Sequence, residues 1–155
     1  MESIDLVQVL PSTIDYLRKR TAKNINFETN FPPDQSFMCK LNIMLFEWVI
    51  ENLCKNAIDA MNGQGTITIS IAENNKWITL DVHNTGKGIH KSNIRHIFRA
   101  GYSTKKRGWG LGLSLSKRII KTYHKGKIFL KNTDSVNGTT FTILLKSDAT
   151  KNHLK

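Results

Sequence analysis

Three short runs, DVHNTGKGI (81–89), IFRAGYSTKK (97–106) and GWGLGL (108–113), decide the fold and the site of this chain. Six of the ten glycines lie between residues 81 and 113. The first run is a strand entering a glycine turn, where a flat group can approach the backbone closely. The last run opens into a helical pattern, whose free N–H groups and dipole favour an anion. A base at one end and phosphates at the other predict a nucleotide pocket.

The segments on either side of these runs predict the rest of the fold. Polar and apolar residues alternate, as in strands, at 24–31, 66–72, 77–84, 127–132 and 139–146. Helical periodicity occurs from Leu6 to about Ala22, from about Met38 to Met61, near 92–98 and near 111–123. In the last helix we expect Leu111, Leu115 and Ile119 to form the buried stripe. The sum predicts an α+β two-layer sandwich, with three main helices on one face of a mixed, mostly antiparallel sheet of about five strands.

The composition narrows the classes of partner. With 155 residues, 39% of them apolar, we predict one domain over 1–147 and a polar, disordered tail over 148–155. The net charge of +11 suits polyphosphate, nucleic acid or an acidic protein face, but the basic residues are spread along the chain. Without an RNA-recognition signature or zinc spacing, we predict no nucleic-acid partner. No apolar run approaches the roughly 20 residues of a membrane span, so we predict no membrane contact within this segment.

The two cysteines, Cys39 and Cys54, are too few and too far apart for a disulfide framework or a zinc site. We expect them to pack as small apolar side chains in a reducing cytoplasm.

The segment ENLCKNAIDAM (51–61) places Asn52, Asn56 and Asp59 on one face of the second long helix. Asparagine is unfavourable inside a helix because its side chain competes for backbone hydrogen bonds, so two of them one turn apart need a reason. An amide oxygen is a suitable ligand for Mg²⁺, which also binds waters and phosphate oxygens. Alternatively, the two amides tie the helix to a neighbouring loop.

Asn84 ends its strand on the same face as Val82, whereas Asp81 and His83 point to the other face. An amide at that position can accept from an amino group and donate to a ring nitrogen, as asparagine does with adenine edges. A plain turn would equally explain the Asn-Thr-Gly sequence.

The run GWGLGLSLSKRI (108–119) alternates glycines and then begins a helix. Glycine loops without ligands are common, so this pattern alone is weak evidence. Just upstream, Ser103, Thr104 and Lys105 supply two hydroxyls and a cation between Gly101 and Gly108. They predict a flap that can close over phosphates.

In this order and spacing, the asparagine helix, NTGKGI, IF…STKK and GWGLGL resemble the N box, first glycine box, F box and second glycine box of a sensor histidine kinase. They are similar to its catalytic ATP-binding domain (HATPase_c), in the superfamily of gyrase, heat-shock chaperone, histidine kinase and mismatch-repair ATPases. The resemblance extends from Leu6 to Leu145 and implies a Bergerat-type fold that binds ATP and Mg²⁺. It implies transfer of the γ-phosphoryl group to a histidine on a dimerisation domain outside this chain, with a response regulator as an indirect partner.

The resemblance also implies roles for individual residues. Asn56 would bind Mg²⁺, with Asn52 close to the metal and phosphates, and Lys105 would reach the phosphates from the lid; these three are the expected catalytic residues. Gly86 and Gly88 would border adenine, Gly110 and Gly112 would offer backbone contacts to phosphates, and Phe98 would anchor the lid by packing. The implied nucleotide site further includes Asp59, Asn84, Ile89, Ser103, Thr104, Gly108, Leu111 and Leu113.

Two departures from the family pattern stand out. The family usually has aspartate, which accepts from the adenine amino group, where this chain has Asn84. Members that hydrolyse ATP have glutamate four residues before the metal asparagine, where this chain has Asn52. Two alternatives remain. One is a serine kinase of the anti-sigma-factor type, which a glutamate at the Asn52 position would favour, and the other is a non-catalytic nucleotide-sensing module of the same fold, which Asn84 keeps open.

Overall fold

The computed structural model describes residues 1–101 and 112–148. In chain order its elements are β1 (Glu2–Asp5), α1 (Leu6–Arg20), β2 (Ile25–Asn30), β3 (Met38–Leu41), α2 (Ile43–Ala60), β4 (Gly65–Asn74), β5 (Trp77–Asn84), α3 (Lys91–Ile94), α4 (Gly112–Arg118), β6 (Lys127–Asp134) and β7 (Gly138–Lys146). A π-helical turn, Ile119–Tyr123, continues α4 directly. The expected α+β fold with a mixed five-stranded sheet is confirmed.

The main sheet has the strand order β2-β4-β5-β7-β6. Only the β2–β4 pair is parallel, and the other three pairs are antiparallel. Along β5 every second residue is buried, from Ile78 through Leu80 and Val82 to Asn84. These side chains face the helical layer, where α2 packs against β4 and β5. The period of two thus gives the sheet one apolar face for the helices and one polar face.

Leu6, Leu10, Ile14 and Leu17 share one face of α1, and all four are buried. The helix begins at the expected boundary because Asp5 caps it, accepting a hydrogen bond from the Val7 amide at 3.1 Å.

The predicted start of α2 at about Met38 is wrong, because the helix begins at Ile43. Asn42 caps it, its side chain accepting from the Leu45 amide at 3.1 Å. Residues Met38–Leu41 form β3 instead, which pairs antiparallel with β1. The apolar residues of MCKL fit a helix and a strand equally well, and pairing with a distant segment decides between them.

The two ends of the described chain meet beside this small sheet. The Ser3 hydroxyl donates to the Asp148 carboxylate at 2.7 Å, and the Asp148 amide donates to the Met38 carbonyl at 2.8 Å. Residues 149–155 of the predicted tail lie outside the described residues.

The predicted stripe of the last helix is partly wrong. Leu115 is 38% exposed, whereas Ser116, Ile119 and Ile120 are buried, and Leu111 lies outside the described residues. The helix is rotated by roughly one residue, about 100°, from the expected orientation. The side of α4 that carries Ser116 is buried because Ser116 contacts α2 through Asn52. The π-helical turn then contains one residue more than an α-helical turn, and this places both Ile119 and Ile120 in the core.

His124 joins the end of this helix to the start of α2. Its Nε2 accepts from the Asn42 amide at 3.1 Å, so Nδ1 carries the proton and donates to the Ile119 carbonyl at 3.0 Å.

Two expectations from composition can be compared with the fold. Cys39 and Cys54 are both buried and unbonded, in agreement with their predicted packing role. Within residues 1–101 and 112–148, no helix combines the length and apolar character that a membrane crossing requires.

We expect the native protein to resist thiol alkylation. Burial raises the pKa of both Cys39 and Cys54 from 9.0 to about 12, so the reactive thiolate is scarce at pH 8. Iodoacetamide should therefore modify both cysteines in urea and neither in buffer, as counted by mass spectrometry. Modification of the native protein at the rate of the unfolded chain would contradict this packing.

Candidate nucleotide-binding site

The asparagine face of α2 lies beside the core. Asn52 and Asn56 are partly buried and Asp59 is exposed, whereas Leu53 and Ala57 point into the core. Successive positions at offsets of four and seven share this side of the helix, as the sequence predicts. The face therefore offers two amides and a carboxylate at the edge of the helical layer.

Gly112, the last glycine of the second glycine run (GWGLGL, 108–113), contacts this face directly where α4 begins. A Cβ atom added to Gly112 would lie 2.5 Å from Asn52 Oδ1, so no larger residue fits without displacing Asn52. Asn52 Nδ2 donates to Ser116 Oγ at 3.3 Å, and Ser116 Oγ donates to the Gly112 carbonyl at 2.8 Å. Asn52 thus ties α2 to a neighbouring element, as the structural alternative for the asparagine pair predicts, and that element is the helix α4.

The first glycine run (NTGKGI, 84–89) contacts the C-terminal end of α2. The Lys87 amide donates to the Ala60 carbonyl at 3.1 Å, and a Cβ atom on Gly86 would lie 2.5 Å from that oxygen. From Asn52 to Ala60 the helix rises about 12 Å. The two glycine runs therefore meet the same helix about 12 Å apart.

Gly88 and Ile89 are held by the β6–β7 hairpin. A Cβ atom on Gly88 would lie 2.8 Å from the backbone carbon of Asp134, and the Ile89 amide donates to Thr133 Oγ1 at 2.8 Å. Gly86 and Gly88 are thus required by contacts with protein backbone. Hydrogen bonds from the Asn137 amide and side chain hold the pKa of the exposed Asp134 carboxyl below its ordinary value.

Asn84 lies on the helical side of the sheet and is only 5% exposed. Its Oδ1 accepts from the Gly86 amide at 2.8 Å, which forms the Asx turn that the sequence allowed. Asp81 and His83 lie on the opposite face, as predicted: Thr142 Oγ1 donates to Asp81 at 2.7 Å, and His83 Nδ1 lies 2.8 Å from Thr140 Oγ1.

Phe98 is partly buried against the core, and the lid that it is expected to anchor lies outside the described residues. Its ring meets Phe141 edge to face at 6.0 Å, and the Lys117 ammonium lies 5.6 Å from its centre. Leu113 is partly buried against the core.

Six of the predicted site residues lie outside the described residues. They are Ser103, Thr104, Lys105, Gly108, Gly110 and Leu111.

Sequence reasoning missed Ser116 and Thr133, which hold the asparagine helix and the first glycine run. Ser116 is completely buried. Because it lies four residues after Gly112, the helical period alone could have placed it on the same side of the helix as Gly112. Thr133 had no such signal, because only the strand pairing brings it near Ile89.

Comparison with known proteins assigns a family to this arrangement. Residues 42–149 match the sequence profile described as "Histidine kinase-, DNA gyrase B-, and HSP90-like ATPase". Sporulation kinase C of Bacillus subtilis is 33% identical over 128 residues, covering 81% of this chain and 29% of that protein. Sensor histidine kinase ZraS of Escherichia coli is 33% identical over 103 residues, covering 66% of this chain and 22% of that protein.

Solved structures give the same answer for the fold. The catalytic domain of histidine kinase ThkA superposes with a TM-score of 0.82 at 28% identity, covering 94% of this chain and 96% of that one. The mycobacterial sensor histidine kinase MprB superposes with a TM-score of 0.81 at 19% identity, covering 94% and 98%. By contrast, the chain spans only 19–29% of the first three full-length relatives.

Proposed function

Because the chain belongs to the family of histidine kinase-, DNA gyrase B- and HSP90-like ATPases, whose members bind ATP, we propose that it is the catalytic part of a sensor histidine kinase. It binds ATP together with Mg²⁺ and transfers the γ-phosphoryl group to a histidine on a separate dimerisation domain. Its relatives among sensor kinases support this reading over a serine kinase of the anti-sigma-factor type.

The contact of Gly112 with Asn52 is the observation that carries the proposal. Asn52 and Gly112 are sixty positions apart in sequence, yet a Cβ atom on Gly112 would lie 2.5 Å from the Asn52 amide oxygen. The second glycine run therefore begins its helix directly against the asparagine face. Phosphates bound by that run would lie next to the amides of α2.

The amide oxygens of the asparagine side chains on α2 are suitable ligands for Mg²⁺. Among the described residues no group of three or more histidine, cysteine, aspartate or glutamate side chains could hold a metal. The Asn56 amide oxygen would be the protein ligand, and waters and phosphate oxygens would supply the rest, which is usual for Mg²⁺. When bound, the ion would neutralise charge on the β- and γ-phosphates.

The residues of the chain bind and orient the nucleotide. Asn84, Gly86, Gly88 and Ile89 would border the base, with Asp59 nearby on α2. Gly108, Gly110, Leu111, Gly112 and Leu113 would contact the phosphates by backbone, and Ser103, Thr104 and Lys105 would close over them. This positioning supplies most of the rate.

In the transfer step, a neutral imidazole nitrogen of the acceptor bonds to the γ-phosphorus as the bond to the bridging oxygen breaks and ADP leaves. Asn52 stands where an ATP-hydrolysing relative would need a carboxylate base. Transfer to imidazole does not need that base, because the neutral ring is already nucleophilic. The dimerisation domain lies outside this chain, and a response regulator would receive the phosphoryl group afterwards.

Calorimetric titration tests the proposal. We expect the purified chain to bind ATP more tightly in Mg²⁺ than in EDTA, and to phosphorylate a dimerisation domain supplied with it. The isolated chain should hydrolyse ATP slowly or not at all. Failure to bind ATP, or rapid steady hydrolysis without an acceptor, would overturn the proposal.

A further inference from the structure

The strand β2 is a free edge of the main sheet, because it pairs with β4 alone. The Asn24 carbonyl accepts from the Gly65 amide at 3.1 Å, so the backbone groups of even-numbered residues along this strand face β4. The backbone groups of Phe27 and Thr29 therefore face away from the sheet. The Phe27 carbonyl agrees with this direction, because it accepts from Arg18 Nη2, on α1, at 3.0 Å.

Most of these outward groups have no protein partner. Within residues 1–101 and 112–148, no hydrogen bond joins the Phe27 amide, or the amide and carbonyl of Thr29, to another element. Thr29 is also exposed. Unpaired amides and carbonyls at a sheet edge are a template on which an extended segment adds as a further strand.

A positively charged cleft lies beside this edge. It has a volume of about 300 Å³, and Arg18, Lys23 and Phe27 are among its lining residues. Between residues 16 and 27 the chain carries four basic side chains and no acidic one. The cleft therefore suits a carboxylate, which the Arg18 guanidinium can bind through two parallel N–H donors.

The acidic neighbours of the cleft leave this positive charge available. Asp15 pairs with Arg18 at 2.8 Å, but both side chains are about half exposed, so this weak pair can be exchanged for another carboxylate. Glu28 follows Phe27 in the strand, and its side chain points to the opposite face of the sheet. A second copy of the chain would set its own cations against these, so the charge favours a different, acidic partner.

We propose that the edge of β2 binds an acidic segment of another protein in extended conformation. The backbone of that segment pairs with Phe27 and Thr29 as a sixth strand of the sheet. Arg18 then releases the Phe27 carbonyl, which accepts from the segment, and binds a carboxylate of the segment together with Lys23. The inference does not use the proposed nucleotide site, so either proposal can fail alone.

Fluorescence anisotropy with labelled peptides tests this surface. The probe is a short peptide of alternating glutamate and valine, which presents every glutamate on one face when extended. A peptide with proline in place of valine has the same charge but lacks the amides that a strand needs. We expect the full chain to bind the glutamate–valine peptide at least about tenfold more tightly than the glutamate–proline peptide. A lysine–valine peptide should bind more weakly than either.

Two kinds of variant separate the backbone contribution from the charge contribution. Thr29→Pro removes an amide that faces away from β4, so the β2–β4 ladder stays intact and the protein should unfold at a similar temperature. Its affinity for the glutamate–valine peptide should fall at least about tenfold. Arg18→Gln and Lys23→Gln should each weaken binding about tenfold. Lys76→Gln, in the exposed turn between β4 and β5, removes the same charge elsewhere and should leave the affinity unchanged.

Three results would overturn the proposal. The first is equal affinity for the glutamate–valine and glutamate–proline peptides, because charge alone would then account for binding. The second is a folded Thr29→Pro protein that binds the glutamate–valine peptide as the natural chain does. The third is no peptide binding at all, together with self-association of Arg18→Gln in sedimentation, which would mean that Arg18 only shields the edge. ATP binding enters none of these measurements, so the kinase proposal stands in each case.

Discussion

Gly112→Ala is expected to lower both the stability of the domain and its affinity for ATP. The new Cβ atom would lie 2.5 Å from Asn52 Oδ1 and 2.8 Å from Nδ2, well inside normal contact. Asn52 is short and hydrogen-bonded to Ser116, so relief requires breaking that bond or shifting α4. Overpacking of this kind costs about 1–3 kcal/mol of unfolding free energy. If α4 shifts to relieve the contact, the Gly112 backbone moves away from the proposed phosphate site, so we expect the Kd for ATP to rise about tenfold, which is about 1.4 kcal/mol of binding free energy.

Urea unfolding and calorimetry on a double-mutant cycle measure both effects. Asn52→Ala removes the amide that the new methyl group would strike, so it should restore stability in the Gly112→Ala background. Asn52→Ala alone supplies the baseline for the lost Ser116 bond. Wild-type stability in the Gly112→Ala single variant would contradict the tight contact between α2 and α4.

Asn56→Ala is expected to remove the dependence of ATP binding on Mg²⁺. Alanine lacks the amide oxygen that would hold the ion, and loss of even an outer-shell partner of a metal ligand costs about 10–100-fold in metal affinity. The Kd for ATP in Mg²⁺ should therefore rise to the value measured in EDTA. Phosphoryl transfer to an added dimerisation domain should fall by at least about the same factor.

Lys55→Ala is the matched control, because Lys55 precedes Asn56 on the same helix and is exposed. It should bind ATP as the natural chain does, in Mg²⁺ and in EDTA alike. Thermal unfolding must show that Asn56→Ala stays folded at the assay temperature. A folded Asn56→Ala protein with unchanged affinity in Mg²⁺ would remove Asn56 from the proposed metal site.

Periodicity predicted the main sheet because its strands have one buried face. β5 matches its predicted span, 77–84, at both ends. By contrast, β1 and β3 are too short to show a period and are stabilised by pairing with each other, although their partners, from Asp5↔Met38 to Glu2↔Leu41, are 33 to 39 residues apart in sequence. Because Met38–Leu41 pair with β1 as a strand, α2 begins at Ile43 and not at about Met38, where the sequence predicted it.

The sequence singled out the unusual residues of the candidate site, and its role in binding stays a prediction. Asparagine inside a helix contradicts local propensity, and Asn52 contacts Gly112 in the fold, whereas the strand-end Gly86 contacts the same helix at Ala60. What the sequence could not give was the partner of each group. It could not show that Asn84 Oδ1 is already bonded to Gly86, nor that Asn52 is bonded to Ser116.

The imidazole of His124 determines how α2 and α4 can move relative to each other. It fastens the far end of the π-helical turn to the Asn42 amide, at the first turn of the asparagine helix. Because that end is fixed at Asn42, we expect any displacement of the Gly112 end along or away from α2 to break the Asn52–Ser116 hydrogen bond before the His124 contacts.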